Sequence, residues 1–332
     1  MSIIIGGSGS SGTTLLKTIL DNHPDIYSGP ELSFFNKEKL YKNWNHYKWI
    51  LLDRSLSIPT DGWFPYASHE LLHAQYGWSA QELEGLVRRS ETILSFVNQY
   101  FERSCKRHHA KIWIEKTPSN TYGFKDFLSL SDQHRVIHLF RNPYDTVTSL
   151  VKRGMTPYFA AGLWVYNNSA GLAASVSCPD RYYALKYEDL LQFPQRILDD
   201  LFRFIGTVPL DIGCLFDSRK AQGEGLTTWG NNPGGQLSKS SIGSFGRQPV
   251  AMQDLVVAAL DTFKIRSRVA VEHGLPVATA RELCIKLGYD YRETKQQHIV
   301  RNGWDLAKDF LSRSVRGYST GWFGYPGAIK IL

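Results

Sequence analysis

A glycine loop, a strand-end arginine, a glutamate and a lysine are the residues of this chain best placed to do chemistry. The loop, Gly6-Gly7-Ser8-Gly9-Ser10-Ser11-Gly12-Thr13-Thr14, follows the apolar run Ser2-Ile3-Ile4-Ile5 and precedes Leu15, Leu16, Ile19 and Leu20 at helical spacing. A small-residue loop between a buried strand and a helix N-terminus turns backbone N–H groups inward, and the helix dipole favours negative charge there. From Gly7, four residues lead to Gly12, and Thr13 then stands where the phosphate loop of nucleoside triphosphatases needs lysine. Without that lysine a kinase or ATPase reading is poor. The loop suits a nucleotide with a single 5′-phosphate that carries something other than a phosphate chain.

Three more polar clusters follow short apolar runs: Glu31, Glu115-Lys116-Thr117-Pro118 and Arg141-Asn142-Pro143. Ligands of an open parallel sheet bind beyond the carboxyl ends of its strands, and all four clusters fall at such ends. Ser149 lies two helical turns after Arg141, and a strand-end arginine with a helix serine can clamp a phosphate.

The elements that must position these residues alternate in type. Ile26–Gly29, Lys111–Glu115, Arg135–Phe140 and Arg181–Lys186 read as strands after the first. Helices are expected after the loop and over 119–130, from Pro143, over 157–175, over Pro194–Ile205, near 250–260 and over 276–288. One long helix is expected from the cap Ser79, with Glu82 completing a capping box, to Lys106-Arg107-His108-His109. The expected fold class is α/β, a mostly parallel β-sheet flanked by helices on both faces. Residues 1–292 read as one domain with a cap at 33–78, and 222–249 as a functional loop. Residues 293–332 form a C-terminal extension, helical to about 314. His108-His109 reads as a solvated helix end and His138 as a hydrogen-bonded core residue.

At 332 residues with 42% hydrophobic content the chain can bury a large core. No apolar run reaches the roughly 18–20 residues of a membrane span. Cys105, Cys178, Cys214 and Cys284 form no CxxC pair, which argues against structural zinc and a disulfide framework. With Met1 leading straight into a strand, no leader is expected and the cytoplasm is the expected location. The net charge of +7 fits an anionic ligand, but no basic–aromatic stripe points to nucleic acid.

Taken together, these residues resemble the sulfotransferases that use 3′-phosphoadenosine-5′-phosphosulfate (PAPS), in the branch of the tyrosylprotein sulfotransferases and many bacterial homologues. The resemblance is carried by Gly7 to Thr14, Asp21-Asn22-His23-Pro24-Asp25 with Gly29-Pro30-Glu31, Glu115 to Pro118, Arg141 to Asp145 with Ser149, and Tyr187-Glu188-Asp189-Leu190. Gly234-Gly235, Lys239, Ser244-Phe245 and Leu287 to Asp290 fit more loosely. It implies a P-loop-like sheet, PAPS as sulfonate donor, 3′-phosphoadenosine-5′-phosphate (PAP) as product, and no metal. It implies further that Ser10, Ser11, Gly12, Thr13 and Thr14 hold the 5′-phosphosulfate, and that Arg141 and Ser149 hold the 3′-phosphate. Tyr187 and Lys239 would reach the nucleotide. Glu31 would be the general base toward an acceptor hydroxyl, and Lys116 would neutralise charge in the transition state.

In one place the chain departs from that pattern. Many relatives carry arginine or lysine where Ser10 stands, and Lys17, one turn into the helix, points away from the loop. Lys116 or Lys239 would have to supply the missing charge. Two other functions use the same residues: a non-catalytic nucleotide- or anionic-glycan-binding protein, and a phosphate-loop phosphotransferase with a magnesium requirement. The acceptor, a carbohydrate, a small-molecule or lipid alcohol, or a peptide tyrosine, stays open. Trp44, Trp49, Trp63, Trp78 and Trp229 could stack on it or pack in the core.

Overall fold

Strand β1 (Ser2–Gly7) is buried along its whole length because it lies at the centre of a five-stranded sheet. Its companions are β2 (Ile26–Tyr27), β3 (Ile112–Lys116), β4 (His134–Phe140) and β5 (Tyr182–Lys186), in the order β2-β3-β1-β4-β5 and all parallel. The computed structural model describes residues 2–52, 69–217 and 237–294. Parallel neighbours need crossover connections, and helices supply them.

Both faces of the sheet are covered. Ile3, Ile5, Ile114, Ile137 and Leu139 pack with Leu16 and Leu20 of helix Thr13–Asp21 and with Leu201 and Phe202 of helix Pro194–Ile205. On the other face Ile4, Trp113 and Val136 meet Phe101, Phe124 and Phe127. Trp113 stacks on Phe101 with ring centroids 3.8 Å apart. A further cluster joins helix Pro157–Ser177 to Val250–Thr262 and Ala280–Leu287. The α/β class and the two-sided packing agree with the sequence pattern. No helix among the described residues is long and apolar enough to cross a membrane.

The single helix expected from Ser79 to His109 is two helices, Ala80–Arg89 and Ile93–His108. The capping box at Ser79 and Glu82 is present. The break comes at Ser90–Thr92, where extended Ser90 donates its hydroxyl to the Leu86 carbonyl (2.7 Å) and the Thr92 side chain accepts from Ser95 N (3.1 Å), capping a new helix. The cap region contains short helices, Glu38–Lys42, Trp44–Tyr47 and His69–Gln75. Trp44 and Trp78 are buried core residues, whereas Trp49 is exposed between Lys48 and Arg88. Trp63, Trp229, most of the 222–249 loop and the extension beyond 294 lie outside the described residues. His108 is not a solvated end: it stacks on Tyr27 at 3.9 Å, and its Nε2 lies 3.2 Å from the Gln75 carbonyl.

His138 is the hydrogen-bonded core residue expected. Its ring is fully buried between the Tyr182 hydroxyl (2.6 Å) and Asn168 Oδ1 (3.1 Å), and burial pushes its pKa down to about 4. The unfolded chain therefore binds a proton at a higher pH than the folded one. The stability from the neutral ring is complete above about pH 6.5 and fades as pH falls toward 4, by about 3 kcal/mol in all. His138→Gln is expected to flatten this acid loss in thermal melts between pH 7 and 4. An unchanged slope would remove His138 as its cause.

Candidate active site

The carboxyl ends of the strands bring the chemistry together. β1 runs into the glycine loop, β2 leads to Glu31, β3 ends at Lys116, β4 hands over to Arg141 and β5 to Tyr187. Register fixes the depth of each: Ile5 lies beside Lys116, Gly7 beside Leu139, and Phe140 beside Lys186. A Cβ on Gly7 would sit 2.1 Å from the Leu139 carbonyl oxygen, so only glycine lets the loop leave the sheet here.

The loop is a tight turn. Ser11 donates both its amide (3.2 Å) and its hydroxyl (2.6 Å) to the Ser8 carbonyl. Ser10 adopts the left-handed region at φ 64°, which turns its carbonyl toward Arg141 Nη1 at 3.0 Å. Gly12 follows at φ 96° and starts helix Thr13–Asp21 without a side-chain cap or an acidic residue in the first turn. The first amides of that helix are thus left for a ligand. A Cβ on Gly12 would lie 2.3 Å from the Tyr187 ring. Gly12→Ala combines that clash with a left-handed backbone. It is expected to cost about 1–3 kcal/mol, read as a lowered melting temperature together with weakened anion binding. A variant as stable and as competent as the parent would contradict the packing described.

Two charged groups meet at the loop. Lys116 Nζ lies 3.0 Å from Thr14 Oγ1 and makes an ion pair with Glu31 Oε1. The Lys116 side chain is 4% exposed and that of Glu31 23%, so the base candidate is the one that solvent or an acceptor reaches. Strand alternation explains the meeting: Lys116 shares the face of Ile114, under the loop helix, and Glu115 takes the opposite face. Lys17 points away, as expected, and pairs with Asp21 at 3.4 Å.

Arg141 ties the other half of the site. Its Nη1 holds the Ser10 carbonyl, its Nη2 holds the Ser241 carbonyl at 2.6 Å, and its guanidinium lies 4.9 Å from the centre of the Tyr187 ring. The Tyr187 hydroxyl bonds Ser241 Oγ at 2.7 Å. Buried polar atoms here have no partner among the described residues: Arg141 Nε, Ser10 Oγ and Thr148 Oγ1. Unpaired donors on the buried guanidinium, on the loop and on the Arg141-side helix fit anions that accept from them. Ser149 is half-buried on helix Pro143–Lys152, whose Leu150 abuts Gly9. Lys239 is exposed two residues before Ser241 and opens the short helix Lys239–Ser241.

The sequence profile described as the sulfotransferase family matches residues 2–210, well over half of the chain. The chain belongs to the sulfotransferase family. Two solved structures share its fold. The sulfotransferase domain of the Synechococcus PCC 7002 olefin synthase is 21% identical, with a TM-score of 0.53 over 88% of this chain and 95% of that one. The sulfotransferase domain from the curacin biosynthetic pathway is 19% identical, with a TM-score of 0.53 over 87% of this chain and 98% of that one. No curated protein sequence matches the chain.

Several residues around this candidate site carried no assigned role in the sequence. Asp145 is buried and accepts from Gly243 N (2.8 Å), Ser244 Oγ (3.1 Å) and Phe245 N (2.8 Å), so it clamps the late loop beside Arg141. Its Oδ2 lies 3.9 Å from Arg141 Nη2, a buried ion pair at the edge of contact distance that ties the late loop to the guanidinium. Glu188 accepts from Asn142 N (2.9 Å) and Tyr289 Oη (2.8 Å), fixing the turn after β4. Arg153 caps the C-terminus of helix Pro143–Lys152. Desolvation, then repulsion by Arg141, lowers its pKa while Glu31 opposes. Such long-range partners carry no local signal. Among the described residues no group of three or more His, Cys, Asp or Glu could hold a metal.

Proposed function

We propose that the sulfotransferase moves a sulfonate from PAPS to an acceptor hydroxyl, with Glu31 as general base and Lys116 stabilising the transition state. The observation that carries this reading is the contact of Lys116 with both Thr14, at the uncapped helix start, and Glu31. A pure nucleotide binder needs neither a buried lysine at the loop nor a carboxylate facing it.

The donor would be held by the amides and hydroxyls of Ser10 to Thr14 at its 5′ end, and by Arg141 and Ser149 at its 3′-phosphate. Tyr187 lies over Gly12, and Lys239 stands at the loop edge. The unpaired Ser10 Oγ and Arg141 Nε would each donate to an anionic partner, at the 5′ and 3′ ends of the donor respectively. When bound, the donor supplies the sulfonate and a bisphosphate leaving group. Glu31 Oε1 faces Lys116, which leaves Oε2 to take the acceptor's hydroxyl proton. Lys116 donates toward the oxygens on which charge grows, from a position already desolvated. Ser11 and the Gly12–Thr13 turn fix the approach line, so positioning and electrostatics carry the rate.

The test is PAP release from PAPS in the presence of EDTA, across sugars, aliphatic alcohols and tyrosine peptides. Metal-independent release with one acceptor class supports the reading and names the acceptor. Turnover of ATP with magnesium would transfer the site to phosphoryl chemistry.

A further inference from the structure

Glu115 is a fully buried carboxylate at the end of β3, where Ile112, Trp113 and Ile114 before it are all apolar. Taking a carboxylate out of water is costly unless its oxygens are well satisfied. Three donors converge on it: Leu32 N (2.9 Å) and Thr117 Oγ1 (2.6 Å) on Oε1, and Asn120 Nδ2 (2.6 Å) on Oε2. Asn120 also donates to the Ile5 carbonyl at 3.0 Å, which fixes its amide group so that Glu115 must accept. Thr117 Oγ1 in turn accepts from Ser33 N at 3.1 Å.

Both amides that follow Glu31 are therefore hung from the residues on either side of Lys116, Leu32 N from Glu115 and Ser33 N from Thr117. Other contacts hold the same stretch. Tyr76 donates to the Pro30 carbonyl at 2.5 Å, Lys37 donates to the Ser33 carbonyl, and Ser33 sits at φ 53° in a left-handed turn. Burial pushes Lys37 down to about 8, with Glu115 opposing, and burial pushes Glu115 up. Glu31 adds to the rise at Glu115, so the two carboxylates feel each other across the strand end.

We propose that Glu115 is a positioning residue: acting with Thr117, it holds the Leu32 and Ser33 amides and so keeps the Glu31 carboxylate against Lys116. This rests on the reading of Glu31 as the base. Alternation along β3 makes it possible, because adjacent residues face opposite sides of the sheet. Lys116 reaches the loop from one side, and Glu115 anchors the segment that carries Glu31 from the other.

The experiment compares Glu115→Gln, Thr117→Val, Glu31→Gln and Glu31→Gln with Glu115→Gln. Glutamine puts an NH2 group among three donors and loses at least one bond. Thr117→Val leaves the carboxylate in place and guards against a Glu115 variant that fails to fold. Native-state amide exchange at Leu32 and Ser33 needs no acceptor, and it is expected to quicken at least roughly tenfold in both single variants. PAP affinity by calorimetry is expected to stay within about threefold, because the Arg141 half is untouched. In the PAP-release assay kcat falls roughly 10- to 100-fold at an unchanged KM for PAPS. Adding Glu115→Gln to Glu31→Gln costs nothing further, since the first acts through the second.

Unchanged exchange at the two amides, or losses that multiply in the double variant, would overturn the role of Glu115. Failure of PAP to bind the wild type, or full activity in Glu31→Gln, would instead remove the function on which it rests.

Discussion

Lys116→Ala is expected to lower kcat for sulfonate transfer by about 10²- to 10³-fold while PAP binding changes only a few fold. The lysine is buried to 4% side-chain exposure and held at Thr14 and Glu31, so its charge is already desolvated and aimed before reaction. In that setting a fixed cation is worth far more than in water, and it costs no reorganisation during the step. PAP lacks the sulfonate, so most of what Lys116 contributes is absent from its complex. Removing the ammonium also takes away the group that holds Glu31 at the loop. Lys116→Arg is expected to rescue little, because a planar guanidinium does not fit a space bounded by Thr14 and the Glu31 carboxylate. Steady-state kinetics with calorimetry on the same samples separates the two effects. An equal loss in kcat and in PAP affinity would make Lys116 a donor-binding residue only.

Arg141→Ala is expected to weaken PAP by about 10²-fold, near 3 kcal/mol, the size of a charged hydrogen-bond pair lost from a buried site. Its effect exceeds that of one phosphate contact, because the guanidinium also joins two loops. Without it the Ser10 carbonyl and the Ser241 carbonyl lose their shared donor, and the Tyr187 ring loses the cation over its face. Asp145 keeps its three donors from the late loop and becomes a buried carboxylate without a nearby cation. Arg141→Lys cannot span the same three groups and is expected to recover only a small part of the loss. Isothermal titration with PAP measures this directly, and a change below threefold would take Arg141 out of the donor site.

Most of the fold could be read from sequence because each strand is a short apolar run and each crossover helix carries its own period. The glycine loop, Glu31, Lys116 and Arg141 were legible for a related reason: each stands at a strand's carboxyl end, where a parallel sheet collects its ligands. The split at Ser90–Thr92 was not legible, since the apolar period continues across it and the break depends on two side-chain caps. His108 looked solvated because nothing local announces that Tyr27, 81 residues earlier in the sequence, offers a stacking face. Asp145, Glu188 and Glu115 stood in the motifs, but their clamping roles escaped for the same cause. A carboxylate that clamps backbone from a distant segment has no sequence partner at fixed spacing, and its role shows only when Gly243, Asn142 or Leu32 is brought to it.

In the proposed function, the loop after β1 and Arg141 form one site for a 3′,5′-bisphosphate nucleotide. Calorimetric titration of wild type and Arg141→Ala with PAP and with ATP, in EDTA and then with magnesium, tests it most directly. Micromolar, metal-independent binding of PAP is expected, weakened about 10²-fold by Arg141→Ala, with far weaker binding of ATP. No binding of PAP, or a preference for ATP that needs magnesium, would contradict it.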